Sequence, residues 1–361
     1  MGSAARMPIL ALVVSALVPG GIPFLAAQEH ELSHHLTVTE VWDYAGSSEL
    51  GEFSYIDGLG EAKNGTIWVS DAFPGWGRVV RYNPLTDEAT VVGAPGEGPG
   101  EVSSTTIIAI DPDGNVAVYD IGRSSIELYS PTGAPVRRIR LPLRVTWVKG
   151  FAILPSGDFV LSGGVVGVNS AIHQFSREGR FLRSWGESAQ ADDWEARMVG
   201  TGGALHALPD GSLLYSEGAP HRISHYVPTN EGWSERPIAA FPDLIDAPRD
   251  AVIVEGVEDG VPYRTFHVTY PQSRGVFQIG GGLVLNVVVA TDDGHSIWQL
   301  FDPARATVDG HGTLIAETRT QAYEPWFKAH DGHILAVRRN PETDVPTVVR
   351  LLLGWTQSDS K

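Results

Sequence analysis

Short apolar runs recur along the chain in pairs, each pair joined by a polar turn that ends in glycine. The turns are Asn64-Gly65, Asp113-Gly114, Ser156-Gly157, Asp210-Gly211, Gly281-Gly282 and Asp331-Gly332. Each opens a strand-like run, as in Ile67-Trp68-Val69 or Val116-Ala117-Val118, and most follow one, as in Ile107-Ile108-Ala109-Ile110. A glycine between two such runs predicts a tight hairpin, because primed turns need positive φ. A third run follows each pair, at residues 78–82, 125–129, 171–175, 222–226, 296–301 and 347–351, and a fourth usually comes after it. The turn glycines are 49, 43, 54, 71 and 50 residues apart. Six units of four strands at that period predict an all-β fold, a six-bladed β-propeller.

Closure is a separate expectation. The last unit runs out after its third strand, while Leu36 to Trp42 forms an orphan strand near the start, so the N-terminal strand is expected to complete the last blade and leave no open sheet edge. A pair of β-sandwiches would not produce six copies of one pattern. No convincing helical period occurs beyond the N-terminal segment.

That segment carries Arg6, the apolar run Met7 to Val18, a Pro/Gly break and Leu25-Ala26-Ala27 before Gln28. One positive charge, a short apolar stretch and small residues predict a signal peptide over 1–27, and a secreted or periplasmic product. Residues 28–35 then form a tail, 36–355 the propeller with a hairpin insertion at 242–274, and 356–361 a second tail. The insertion accounts for the 71-residue gap.

Composition narrows the chemistry. The chain has no cysteine, which removes disulfides, thiol catalysis and thiolate metal sites. Its 26 Lys and Arg against 43 Asp and Glu give a net charge of −17. Such a surface disfavours nucleic acid, whose binding relies on basic side chains. A monomer without a membrane span in its mature part is expected.

The segment Ile110 to Gly133, IDPDGNVAVYDIGRSSIELYSPTG, resembles an NHL-type repeat. Gly96-Glu97-Gly98-Pro99-Gly100-Glu101-Val102 before it resembles the lead-in found in secreted bacterial six-bladed propellers. The resemblance is close in blade two, looser in blades one, three and four, and confined to strand rhythm in the last two. It implies a fold and little chemistry, since the superfamily hosts enzymes and passive scaffolds. Glu97-Gly98-Pro99 is also similar in letters to the cation-binding motif of gluconolactonase-type propellers. It departs in place, because Gly100-Glu101-Val102 intervenes before the strand.

Candidate residues cluster on the face opposite the glycine turns, which carries the blade connections. Leu50-Gly51-Glu52-Phe53-Ser54 and Pro99-Gly100-Glu101-Val102-Ser103 repeat with an offset of 49, equal to that of their turn glycines. Glu52 and Glu101 therefore enter their blades in matching geometry, either leaning to the axis to hold a divalent cation such as Ca²⁺ or Mg²⁺, or clasping backbone. Trp76, at a loop tip, and Arg264, His267 and Tyr270, in the insertion, are the other candidate ligand-binding residues. Arg78 and Arg123 are expected to pair with Asp71 and Asp120. Two histidine pairs, His221/His225 and His330/His333, have ligand-like spacing but sit about strand ends and turns. The residues favour a binding or scaffold module for a small molecule, peptide or envelope protein. The second reading is a lactonase-like, metal-assisted hydrolase or lyase with axial carboxylates.

Overall fold

A computed structural model describes residues 34–47, 50–73, 76–189, 194–217, 222–240, 251–258, 261–268, 272–289, 295–306, 311–321, 323–339, 343 and 345–357. The segment read as a signal peptide, 1–27, lies outside them. The described blades belong to one unit, Leu32–Lys361, built of six four-stranded antiparallel sheets. Their innermost strands are Ile56–Glu61, Thr105–Ile110, Thr146–Ile153, Gly203–Ala207, Gln272–Gln278 and Tyr323–Lys328, one for each blade in chain order. In blade six, Tyr323–Lys328, Ile334–Arg339 and Pro346–Gln357 are followed outward by the N-terminal strand His34–Tyr44. That strand runs antiparallel to Pro346–Gln357, with Leu36 opposite Trp355 and Val38 opposite Leu353, and also lies along Gly312–Gln321 of blade five.

The hydrophobic pattern explains the ring. Side chains alternate between the two faces of a strand, and here both faces of the middle strands meet a neighbouring blade, so Val116–Asp120 and Phe159–Gly164 are buried throughout. An apolar layer lies between each adjacent pair of blades. Trp68 and Val79 of blade one meet Ile108 and Tyr129 of blade two. Tyr119 and Ile126 meet Phe159 and Leu161 of blade three, and the remaining junctions follow in turn. The last layer sets Leu335, Val337 and Val348 of blade six against Leu59, Val69 and Val80 of blade one, which closes the circle.

The hairpin turns differ from the expected primed type. Gly65, Gly114, Gly157, Gly211 and Gly332 do have φ between 81° and 91°, but the residue before each has ordinary negative φ. In each, the glycine N–H bonds to the carbonyl three residues back, and the flanking pair closes the loop, as in Gly65 to Ala62 (2.9 Å) and Ala62 to Thr66 (2.9 Å). These are three-residue loops ending in a left-handed glycine. The same glycine signal serves both turn types, so the sequence marks the hairpin and leaves the loop length open. A seven-residue helix, Trp194–Gly200, sits in the connection from blade three to blade four and is too short to show a period. The insertion contains the hairpin Ala251–Glu258/Val261–Val268.

Candidate functional site

The innermost strands of blades one, three and five are bulged where they begin. Register shifts fall between Ile56 and Gly58, Thr146 and Gly150, and Ser273 and Gly275. In each a charged residue stands just before the glycine: Asp57, Lys149 and Arg274. A bulge re-aims its side chain, and at Gly58 and Gly150 glycine is needed because neighbouring blades approach backbone to backbone. A Cβ on Gly58 would lie 2.7 Å from the Ile108 nitrogen, and one on Gly150 2.7 Å from the Gly203 carbonyl oxygen.

Asp57, Lys149 and Arg274 come from blades one, three and five, which are never adjacent in a ring of six. Their charges nevertheless act on one another, Arg274 on both Asp57 and Lys149. Groups from alternate blades meet only over the axis, so the three share the channel mouth. Burial pushes the Asp57 carboxyl up from 3.8 to about 7; Arg274 and Arg339 oppose the rise and Glu324 reinforces it. Burial lowers the Lys149 amine from 10.5 to about 7, and Arg274 adds to that fall. Lys149 Nζ is buried without a hydrogen-bond partner among the described residues, although the residue as a whole is partly exposed. The exposed surface of the residue therefore lies on atoms other than the amine.

Two exposed aromatic residues stand two positions before the charges of blades one and three. Tyr55 is 48% exposed and carries the Arg339 guanidinium 4.8 Å above its ring centroid. Burial and the Asp57 and Glu324 charges raise its hydroxyl pKa. Trp147 is also 48% exposed and adopts φ 51° within the blade-three bulge. A bulky residue in the left-handed region is a strained exception that collects at functional sites. Below, Trp326 of blade six packs against both the blade two–three layer and the blade one–six layer. It thereby reaches across the axis.

The repeated Gly-Glu segments build something different. Asp71 and Asp120, both fully buried, accept hydrogen bonds from the lead-in to their own blades: Ser54 N and Tyr55 N to Asp71, Ser103 N and Ser104 N to Asp120. Arg78 pairs with Asp71 at 2.8 Å and Arg123 with Asp120 at 2.8 Å, as the sequence leads one to expect. Each arginine then donates to lead-in carbonyls, Arg78 to Leu50 and Glu52, Arg123 to Glu101 and Gly96. The Glu101 carboxylate accepts from Gly98 N at 2.6 Å, inside its own loop. Glu52 is exposed on the small ladder Gly46–Ser47/Gly51–Glu52.

Replacing Glu101 with glutamine should lower stability by about 1 kcal/mol equally with and without Ca²⁺ or Mg²⁺. A melting-temperature gain from Ca²⁺ in the wild type that vanishes in the variant would instead make Glu101 a cation ligand.

The other candidates are not brought to this mouth by any described contact. Trp76 pairs with Phe73 at the hairpin tip, and Arg264 and His267 stand opposite Glu255 and Val252 in the insertion ladder; their side chains and Tyr270 lie outside the described residues. Among the described residues no three of His, Asp and Glu gather as a metal set. His225 bonds Ser212 at 2.8 Å and His333 faces Asp331 at 2.9 Å, which absorbs both locally. A cleft of about 340 Å³ on the opposite face is lined by Gln174, Arg183, Asp210 and Trp233. Its polar groups satisfy one another: Trp233 donates to Gln174 and Gln174 to Asp158.

The mouth residues were visible in the sequence as a charge followed by glycine inside an apolar strand, a bulge signal. What hid them was that each copy carries a different charge.

No family model matches the chain, and no curated protein does. Among solved structures it is similar to a member of the duf4221 family from Bacteroides vulgatus, with 8% identity over 90% of this chain and 99% of that one and a TM-score of 0.57. It is similar to a Bacteroides fragilis protein named for an expected export, with 8% identity, 91% and 98% coverage and a TM-score of 0.55. A luciferin-regenerating enzyme gives 12% identity, 88% and 95% coverage and a TM-score of 0.51. These likenesses establish the fold. The protein is a six-bladed β-propeller. Among its described residues no helix is long and apolar enough to cross a membrane.

Proposed function

We propose that this propeller is an exported binding module that captures a small carboxylate-bearing molecule at its channel mouth. The observation that carries the reading is the buried Lys149 amine, without an acceptor and beside Arg274. Buried donors are nearly always hydrogen-bonded, and one left without a partner points to a missing ion, water or ligand. An anion is the acceptor that suits both groups. A carboxylate fits better than a phosphate, because Asp57 and Glu324 repel a dianion more strongly than a monoanion. Tyr55 and Trp147 supply the apolar walls that small-molecule sites use around a few polar groups. Export is supported by the pattern of residues 1–27 and by the name of the Bacteroides fragilis neighbour.

Isothermal calorimetry with glycolate tests the site. Wild-type protein should bind it, and Arg274→Gln should weaken binding by roughly tenfold or more, the worth of one charge-assisted hydrogen bond. Binding unaffected by that change, or no binding of any small carboxylate, sinks the reading. N-terminal sequencing of the protein from its native envelope or medium tests export, with Gln28 as the expected first residue.

A further inference from the structure

The mouth holds an amine and a guanidinium with unlike duties. The planar guanidinium of Arg274 matches a carboxylate and can hold one. The Lys149 amine is buried, and among the described residues Arg274 is the charge that acts on it and no carboxylate does. We propose that Lys149 forms an imine with a carbonyl placed next to the ligand's carboxylate, so that the ligand class is a 2-oxo acid or an aldehyde acid. This rests on the carboxylate-binding reading above.

Three observations support it. The amine is buried and has no hydrogen-bond partner among the described residues, while the residue as a whole keeps some exposure, so rotation about the flexible four-carbon chain can bring it to a ligand anchored on Arg274. Burial and Arg274 leave about half the amine unprotonated near pH 7, and only that form is nucleophilic. Asp57, acted on by the same guanidinium, is half protonated at the same pH and is the acid–base group of the mouth.

The step balances without another reactant. The Lys149 lone pair forms a bond to the carbonyl carbon, and the carbonyl oxygen takes up a proton to give a carbinolamine. The C–O bond then breaks and the oxygen leaves as water. Its two hydrogens replace the two that nitrogen gives up, and Asp57 passes them by lending a proton to the departing hydroxyl and regaining one from nitrogen. The product is the C=N bond and one water.

Full-length protein incubated with glyoxylate and reduced with cyanoborohydride tests this by peptide mass spectrometry. Lysines occur at 63, 149, 328 and 361, so the labelled site is easily assigned. Label should concentrate at Lys149, and its rate should rise most steeply around pH 7 rather than near the ordinary lysine value of 10.5. Arg274→Gln should slow labelling by glyoxylate about tenfold, well beyond the smaller slowing of acetaldehyde, which lacks the carboxylate and responds only to the rise in the Lys149 pKa when the guanidinium is lost. Lys149→Met should abolish the label with an unchanged circular dichroism spectrum. Equal or heavier labelling at Lys63 and Lys361, or glyoxylate and acetaldehyde responding alike to Arg274→Gln, overturns the proposal. Calorimetry with glycolate, which has no carbonyl, separates the two ideas. Glycolate binding without glyoxylate trapping removes the imine and keeps the binding site; neither result removes both.

Discussion

Replacing Asp120 with alanine is expected to destabilise the fold by about 3–5 kcal/mol, the usual consequence of removing one partner from a buried ion pair. Asp120 has no exposed surface and accepts hydrogen bonds from Ser103 N (2.8 Å), Ser103 Oγ (2.8 Å), Ser104 N (3.2 Å) and Arg123 (2.8 Å). Its loss would leave three lead-in donors and a guanidinium, only 13% exposed, without their acceptor. Arg123 would then also loosen its grip on the Gly96 and Glu101 carbonyls, which fix the connection from blade one. Asp120→Asn keeps an acceptor and loses the charge, so a smaller change of about 1–2 kcal/mol is expected. Denaturant unfolding of both variants measures this. A loss below about 1 kcal/mol for the alanine variant would mean that water readily replaces the latch.

Stability should depend on pH in opposite directions on the two sides of neutrality, through Asp57 and Lys149. The folded-state pKa of Asp57 is raised, from 3.8 to about 7, so its contribution is full below the unfolded value and is lost as pH rises through about 7. The folded-state pKa of Lys149 is lowered, from 10.5 to about 7. Its burial penalty is full below about 7 and is released as pH climbs toward the unfolded value. Together the two groups place a minimum near pH 7. A shift of three units corresponds to about 4 kcal/mol; both side chains keep partial exposure, so about 2 kcal/mol on each limb is expected. Arg274, Glu324 and Arg339 face Asp57, and Arg274 faces Lys149. Difference curves against wild type cancel other buried groups such as His206, whose pKa burial lowers to about 4. Asp57→Asn should remove the acid limb and Lys149→Met the alkaline one. Parallel curves for wild type and both variants would show that neither group is desolvated.

The parts of this molecule that were readable in advance are those with local causes. Gly65 and Gly114 mark hairpins because only glycine takes the left-handed backbone there without strain. Asp71 with Arg78, and Asp120 with Arg123, could be paired because each sits within a few positions of its partner across one hairpin. The sequence allows Glu101 to be either an axial ligand or a clasp. The repeat placed it at a blade lead-in, but its carboxylate direction depends on the fold of its own loop, where Gly98 N receives it. Asp57, Lys149 and Arg274 went unread as a group, since 92 residues separate the first pair and 125 the second.

The sequence by itself determined the strand rhythm, the glycine turns, the six-fold repeat and the buried latches, because backbone sterics and side-chain alternation act over a few residues. Only the tertiary structure decided which charges of different blades face one another. Closing six blades into a ring brings alternate blades together over the axis, where burial turns an ordinary aspartate and lysine into groups that titrate near neutrality. Desolvation depends on everything that surrounds a side chain, and no short stretch of sequence contains that information.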